Sequence, residues 1–165
     1  MRMKLLAVLA AGAVAAGCAS YDGRSLVPGK SVAADVEALM GPPAERLTVA
    51  GESVWFYPRN PGGLHTYAVR FAPDGTVRAV EQRLTEDNLR HLVAGVSTKR
   101  EVRELLGPPM QVIRMERQQR DVWGYRMYNA VQVEHELYVQ FSNDGLVREV
   151  LLLRDYRNEV GDHRP

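Results

Sequence analysis

Hydrophobic residues recur at helical spacing in two short stretches that lie 66 residues apart. In each stretch three apolar residues occupy positions i, i+3 and i+4: Val36, Leu39 and Met40 in the first, and Val102, Leu105 and Leu106 in the second. Residues at this spacing share one face of an α-helix. The pattern therefore predicts two amphipathic helices with the same buried face.

Residues suited to helix ends flank both stretches. Ser31 and Ser97 are predicted N-caps, because a serine hydroxyl accepts a hydrogen bond from an unpaired N–H of the first turn. In the second stretch Thr98 and Glu101 also fit a capping box. A Gly-Pro-Pro triplet follows each stretch, and glycine before proline is a typical helix stop.

After each helix, apolar and polar residues alternate in short segments that predict three antiparallel strands. The segments lie around Trp55, 69–71 and 77–80 in the first half, and around Trp123, 139–141 and 147–153 in the second. Asp74-Gly75 and Asp144-Gly145 predict hairpins, because these residues tolerate the positive φ of a tight turn. A further capped helix is predicted over 85–92, whereas the first half has only 21–26 for that role. Each half is thus predicted as an α-α-β-β-β unit, an α+β fold with helices packed on a three-stranded antiparallel sheet.

The landmarks recur in the same order in both halves, which indicates an internal duplication. Three landmarks and their repeats are Gly41-Pro42-Pro43 with Gly107-Pro108-Pro109, Val54-Trp55-Phe56-Tyr57 with Val122-Trp123-Gly124-Tyr125, and Asp74-Gly75 with Asp144-Gly145. We place the first unit at 27–84 and the second at 85–155. The residues that follow, 156–165, form a polar tail.

Residues 1–17 have the layout of a secretory signal. Two cations precede an uncharged stretch of 13 residues, and such a helix reaches only about 20 Å, short of the ~30 Å core of a bilayer. The stretch ends in Ala15-Ala16-Gly17-Cys18, which resembles the lipobox of bacterial lipoprotein precursors, with Ala15 where leucine is usual. The resemblance implies a diacylglycerol on Cys18 and a tether at 18–26. The alternative is an ordinary secretory signal in which Cys18 is incidental.

The start of the mature chain sets expectations for location and charge. Ala19 follows Cys18 in place of the aspartate that resembles an inner-membrane retention signal in enteric bacteria. By that analogy we expect a lipid anchor in the outer membrane, on its periplasmic face. Loss of Arg2 and Lys4 leaves 19 basic against 20 acidic residues. A nucleic acid is not an expected partner, because such binding depends on clustered positive charge.

The motifs together resemble the SmpA/OmlA family of small outer-membrane lipoproteins, which includes BamE. The resemblance rests on V-x-G-x-S-x-x-x-x-V-x-x-L-L-G-P-P, then V-W-x-Y, then Y-V-x-F-x-x-D-G-x-V, and it spans nearly the whole second unit. It implies two helices packed on a three-stranded sheet, and envelope proteins as partners, including components of the β-barrel assembly machinery. Two such units in tandem are similar to the β-lactamase inhibitor protein architecture, which implies inhibition of a periplasmic hydrolase as an alternative role.

No arrangement of residues in the sequence points to catalysis, a metal or a cofactor other than the lipid on Cys18. The four histidines, which are His65, His91, His135 and His163, have no partner at the spacing that zinc sites on helices use. Trp55 with Tyr57, and Trp123 with Tyr125, are interpreted as core residues, with a ligand-binding surface as the alternative. We therefore expect a non-catalytic binding module, an accessory scaffold of outer-membrane β-barrel protein assembly or envelope maintenance.

Two surfaces are candidates for binding. Arg114, Arg117 and Arg120 either contact anionic lipid head groups or form an ordinary polar loop. If Val139 and Phe141 face the helices, alternation places six residues on the far side of the second sheet. These residues are Arg126, Tyr128, Tyr138, Gln140, Leu151 and Leu153. An apolar face of this kind predicts a partner-binding surface, unless the first unit or the N-terminal segment covers it.

Overall fold

The computed structural model describes residues 22–59 and 64–155. The first half contains α1 (Ala33–Met40), β1 (Glu45–Val49), β2 (Glu52–Pro58), β3 (Thr66–Phe71) and β4 (Val77–Gln82). The second half contains α2 (Glu86–Leu89), α3 (Lys99–Leu106), β5 (Gln111–Met115), a 3-10 turn (Glu116–Gln118), β6 (Arg120–Tyr128), β7 (Glu134–Phe141) and β8 (Val147–Arg154). The predicted signal, Cys18 and the polar tail lie outside the described residues.

The prediction of two α-α-β-β-β units is wrong. Each half forms a four-stranded antiparallel sheet whose strands follow chain order, β1 to β4 and β5 to β8. The described part of the first half has one helix, and α2 in the second is a single turn of four residues. The chain is therefore mostly β, with one helix of eight residues ahead of each sheet.

The strands that the sequence did not predict, β1 and β5, are each held by a short turn to the following strand. Ala50 and Gly51, with φ of 51° and 84°, connect β1 to β2, in the manner of hairpin turns that need two positive φ values. Alanine is unusual in that conformation, so the turn lacks the Asn-Gly or Asp-Gly signal. Between β5 and β6, the 3-10 turn ends at Gln119, whose φ is 53°.

The helix ends fall one residue later than the predicted serine caps. The N-caps are Val32 and Thr98, and the capping box of Thr98 with Glu101 is confirmed. The Ser31 and Ser97 carbonyls instead accept the N–H groups of Val77 and Val147 at 2.7 Å. This pairing holds the serines extended, so that each hydroxyl accepts from a preceding valine N–H, at 2.9 Å and 3.0 Å.

The two Asp-Gly hairpins are confirmed. Gly75 and Gly145 have φ of 83° and 81°, and each aspartate accepts the N–H two residues later. The loops contain three residues rather than the two expected, because the backbone pairs Ala72 with Thr76 and Ser142 with Leu146. The backbone N–H of Thr76 and then its hydroxyl donate to the Asp74 carboxylate, and these two bonds lower the pKa of Asp74, which is a turn residue.

The aromatic residues of the V-W-x-Y motifs pack under the helices, as predicted. In the second half Trp123 and Tyr125 lie in a cluster with Val102 and Leu106 of α3. In the first half Tyr57 lies in the corresponding cluster with α1, while Trp55 is half-buried at its margin. The ring of Trp55 lies under the guanidinium of Arg46, 4.5 Å away. The clusters account for the buried face of each sheet.

The opposite face of the first sheet is also buried, under the end of α3. Val54, Phe56 and Ala68 form a third cluster on this face. Gly107, which ends α3, approaches so closely that an added Cβ would lie 2.7 Å from Phe56 Cδ1. Arg103 of α3 also forms an ion pair of 2.7 Å with Glu45 on β1. The second unit therefore packs against the outer face of the first sheet.

Candidate interaction surface

The far side of the second sheet gathers the residues that alternation predicted there. Tyr138 lies between Gly124 and Leu151 in the strand register, and Glu136 lies between Arg126 and Leu153. Val139 and Phe141 belong to the buried cluster under α3, so the register of these strands is the predicted one. All six candidate partner-binding residues thus share one face, which we call the outer face of the second sheet.

The outer face of the second sheet combines aliphatic residues with a paired polar margin. Leu153 is 49% exposed, while Leu151 and Tyr138 are half-buried. At one end Arg126 donates to Glu134 and Asp155 at 3.0 Å and 3.1 Å. The Tyr138 hydroxyl donates to Glu136 at 2.9 Å. These bonds hold the polar groups in place and leave an apolar strip along β8.

The first unit touches the outer face of the second sheet at its margin. The His65 ring lies 5.6 Å from the Tyr128 ring, measured between centroids, and burial lowers the pKa of His65. The units also pack together at the outer face of the first sheet, where Phe56 meets Gly107. The position that matches Phe56 in the second sheet is Gly124, which lies against the side chain of Gln111.

The three arginines proposed for anionic lipid lie on different sides of the second sheet. Arg114 donates to Asp121 at 2.9 Å, and Asp121 also binds Lys99 of α3 on the helix side. These hydrogen bonds, from Lys99 and then Arg114, lower the pKa of Asp121. Arg120 donates to Gln140 on the outer face at 2.9 Å. Arg117 lies in the 3-10 turn between them, so the three side chains do not form one patch.

The sequence reasoning missed the exposed apolar strand β5. All five of its residues are exposed, and its apolar members are Val112, Ile113 and Met115. The signal was the pair Val112-Ile113, separated from Met115 by Arg114, without the clean alternation that identified the other strands. A search for apolar residues next to the Gly-Pro-Pro helix stop would have found it.

No group of three or more histidine, cysteine, aspartate or glutamate residues within the described ranges is placed to hold a metal ion. His65, His91 and His135 lie in these ranges, and His163 lies outside them. Among the described residues no helix has the length and apolar character needed to cross a membrane.

Comparison with known families identifies the second unit. The model of the outer membrane protein assembly factor BamE domain matches residues 82–150. This segment belongs to the BamE domain family. The BamE domain begins at the end of β4 and includes α2, α3, β5, β6, β7 and the first half of β8. Because the match does not extend over the first unit, the duplication of the unit remains a prediction.

The other comparisons add little to the BamE domain match. None of the curated proteins with which the chain was compared matches it. One solved structure, of a DUF4309 family protein (YjgB) from Bacillus subtilis, has 21% identity and a TM-score of 0.32. That alignment covers 80% of this chain and 84% of the other. At this TM-score the likeness supports no conclusion about fold or function.

Proposed function

We propose that this chain is a non-catalytic lipoprotein of the outer membrane, held on the periplasmic face by a lipid on Cys18. Its BamE domain serves there as an accessory scaffold in the assembly of β-barrel proteins. The observation that carries the proposal is the BamE domain match, because the family is described as an outer membrane protein assembly factor. The partners are envelope proteins, including components of the assembly machinery.

The outer face of the second sheet is the proposed docking surface for an assembly component. It lies entirely within the second unit, and its apolar strip includes Leu151 and Leu153. Apolar strips with a paired polar margin resemble protein interfaces, in which an apolar centre is surrounded by polar groups. The equivalent face of the first sheet is unsuited to this role, because Phe56 is already packed against the end of α3 and Ala68 lies in the same buried cluster.

Crosslinking in intact cells followed by affinity purification tests the proposed partners. We expect the wild-type chain to recover β-barrel assembly components, and Leu153→Lys to recover several-fold less with an unchanged melting temperature. The exposed position of Leu153 makes a stability change above about 0.5 kcal/mol unexpected. Val131→Lys, at a residue 74% exposed in the turn before β7, is the matched control. Recovery of a hydrolase without assembly components would contradict the proposal and favour an inhibitor.

Metabolic labelling with a palmitate analogue tests the lipid anchor independently of the partners. We expect the wild type to be labelled and to fractionate with the outer membrane. The Cys18→Ser variant, which lacks the thiol that accepts the lipid, should remain unlabelled. Labelling of Cys18→Ser, or absence of label on the wild type, would rule out the anchor while leaving the BamE domain assignment intact.

A further inference from the structure

The strand β5 is an edge of the second sheet, with an exposed apolar residue on each of its sides. It pairs with β6 and, within the described residues, with no other strand. Val112 is 62% exposed and pairs with Trp123 on the helix side, whereas Ile113 is 43% exposed and pairs with Val122 on the outer side. An edge strand presents backbone donors and acceptors that another extended chain can use.

The corresponding edge of the first sheet is protected in ways that β5 is not. Val112 stands where β1 has Arg46, whose guanidinium covers Trp55 at 4.5 Å and forms an ion pair with Glu37. Ile113 stands where β1 has Leu47, which packs against the cluster of Val54, Phe56 and Ala68. Because β5 has valine at the position where β1 has arginine, it lacks the charge that discourages addition of a further strand at that position.

The remaining two edges of the sheets are also protected. The first residue of β4 and the first residue of β8 pair with preceding loops, through Val77 with Gly29 and Val147 with Gly95. Charged side chains then follow on both strands, at Arg78, Glu81, Arg148, Glu149 and Arg154. Of the four edges in the described sheets, β5 is the one with two adjacent exposed apolar residues, and its single charged residue, Arg114, is paired with Asp121.

Basic residues outnumber acidic residues at the C-terminal end of β5, where the chain turns into β6. Arg114 and Lys99 share one carboxylate, that of Asp121. In the 3-10 turn Glu116 lies 3.9 Å from Arg114, and Arg117 makes no ion pair with a described residue. An incoming segment with an acidic residue would complement this end of the strand, whereas a basic segment would be repelled.

We propose that β5 binds an extended segment of a partner polypeptide by strand addition. The segment has adjacent apolar residues, which lie opposite Val112 and Ile113, and an acidic residue near Arg117. Backbone hydrogen bonds provide the affinity in this mode, and side chains on the two faces provide the selectivity. The inference deepens the proposed function, on which it rests, because it assigns an unfolded, strand-forming client to the BamE domain.

A second copy of the chain is a poorer occupant of this edge. Antiparallel pairing of two β5 strands would involve five residues from each copy, whereas stable interfaces use about 20–30 residues a side. In that arrangement the cationic end of each strand would lie beside Gln111 of the other copy, and β5 contains no acidic residue to complement it. A short segment bound transiently needs no such area, since weak encounters lie at the small end of the interface range.

Fluorescence anisotropy with the purified full-length protein in detergent tests strand addition. The probe is a labelled ten-residue peptide with four consecutive valine and isoleucine residues and aspartate at both ends. A control peptide of the same sequence carries N-methyl groups on alternate central amides, which removes backbone donors but keeps the apolar side chains. We expect the wild type to bind the probe at least tenfold more tightly than the N-methylated peptide.

Variants at the exposed strand locate the binding. The double variant Val112→Thr with Ile113→Thr keeps β-branched side chains and should bind the probe at least fivefold more weakly. Val131→Thr, at an exposed apolar residue outside the sheet, should bind as the wild type does. Arg117→Gln should weaken binding and reduce its dependence on salt, because it removes a cation near the proposed acidic residue.

Three results would overturn strand addition at β5. These are equal binding of the two peptides, unchanged binding by the double threonine variant, and a concentration-dependent dimer that the double variant abolishes. The last result would assign the edge to a second copy. The peptide assay contains no assembly components, so a negative result would rule out strand addition at β5 without affecting the proposed binding of assembly components by Leu153 and its neighbours. A negative crosslinking result would likewise leave peptide binding at β5 unaffected.

Discussion

Replacing Trp123 with alanine is expected to cost about 3–5 kcal/mol of unfolding free energy, as for other large aromatic residues removed from cores. The side chain is 8% exposed, and its ring meets Phe141 edge-on with centroids 4.8 Å apart. On its other flank the Arg103 guanidinium lies 5.7 Å from the ring. The variant loses all of these contacts and leaves a cavity under α3.

Urea unfolding followed by far-ultraviolet circular dichroism measures this cost without relying on tryptophan fluorescence. Trp55→Ala is the matched comparison, because Trp55 occupies the same motif position but is only half-buried. We expect it to cost clearly less, since part of its ring surface already faces water and Arg46. A Trp123→Ala protein that unfolds like the wild type but no longer captures partners would show that the aromatic face is a binding site.

The elements that were predicted correctly are those whose geometry follows from the spacing of apolar residues within the element itself. The apolar spacing of Val36 and Met40 requires a helix, and the same holds for Val102 and Leu106. In the second sheet the face of every residue follows once Val139 is known to be buried, because the side-chain period of a strand is two.

The strands β1 and β5 were not predicted, because their extended conformation depends on pairing with the adjacent strand and not on their own sequence pattern. The stretch Gln111–Met115 is extended because it pairs with β6, and its own pattern of exposure shows no buried face. Similarly, Ala50 adopts a positive φ that alanine disfavours, which the pairing of β1 with β2 imposes. Tertiary pairing outweighed local preference in both places.

The covered face of the first sheet could have been predicted from one difference between the repeats. Val54-Trp55-Phe56-Tyr57 is apolar at every position, and a continuous apolar strand is typical of burial on both faces. Its counterpart Val122-Trp123-Gly124-Tyr125 has glycine in place of Phe56. The difference marks which of the two sheets is covered by the other unit.

The contact of Phe56 with the end of α3 makes Gly107→Ala the most informative substitution between the units. Gly107 and Gly41 end equivalent helices with nearly identical backbones, at φ of 83° and 81° and ψ of −171° and −172°. This region is essentially restricted to glycine, so alanine at either position should cost about 1–3 kcal/mol in backbone strain. Any difference between the two variants therefore reports on their surroundings.

Those surroundings differ sharply, which is why we expect Gly107→Ala to cost about 1–3 kcal/mol more than Gly41→Ala. An added Cβ at Gly107 would lie 2.7 Å from Phe56 and 2.9 Å from Thr66, whereas nothing lies within 4 Å at Gly41. The Gly107 carbonyl also accepts the Tyr125 hydroxyl at 3.2 Å, which limits how far the helix end can retreat. The unfolding free energies of the two variants measure the expected difference, and hydrogen exchange should become faster at Val54 and Ala68 in Gly107→Ala alone. Equal costs with unchanged exchange would mean that the units are not packed together at this point, and that the outer face of the first sheet is as open to partners as that of the second.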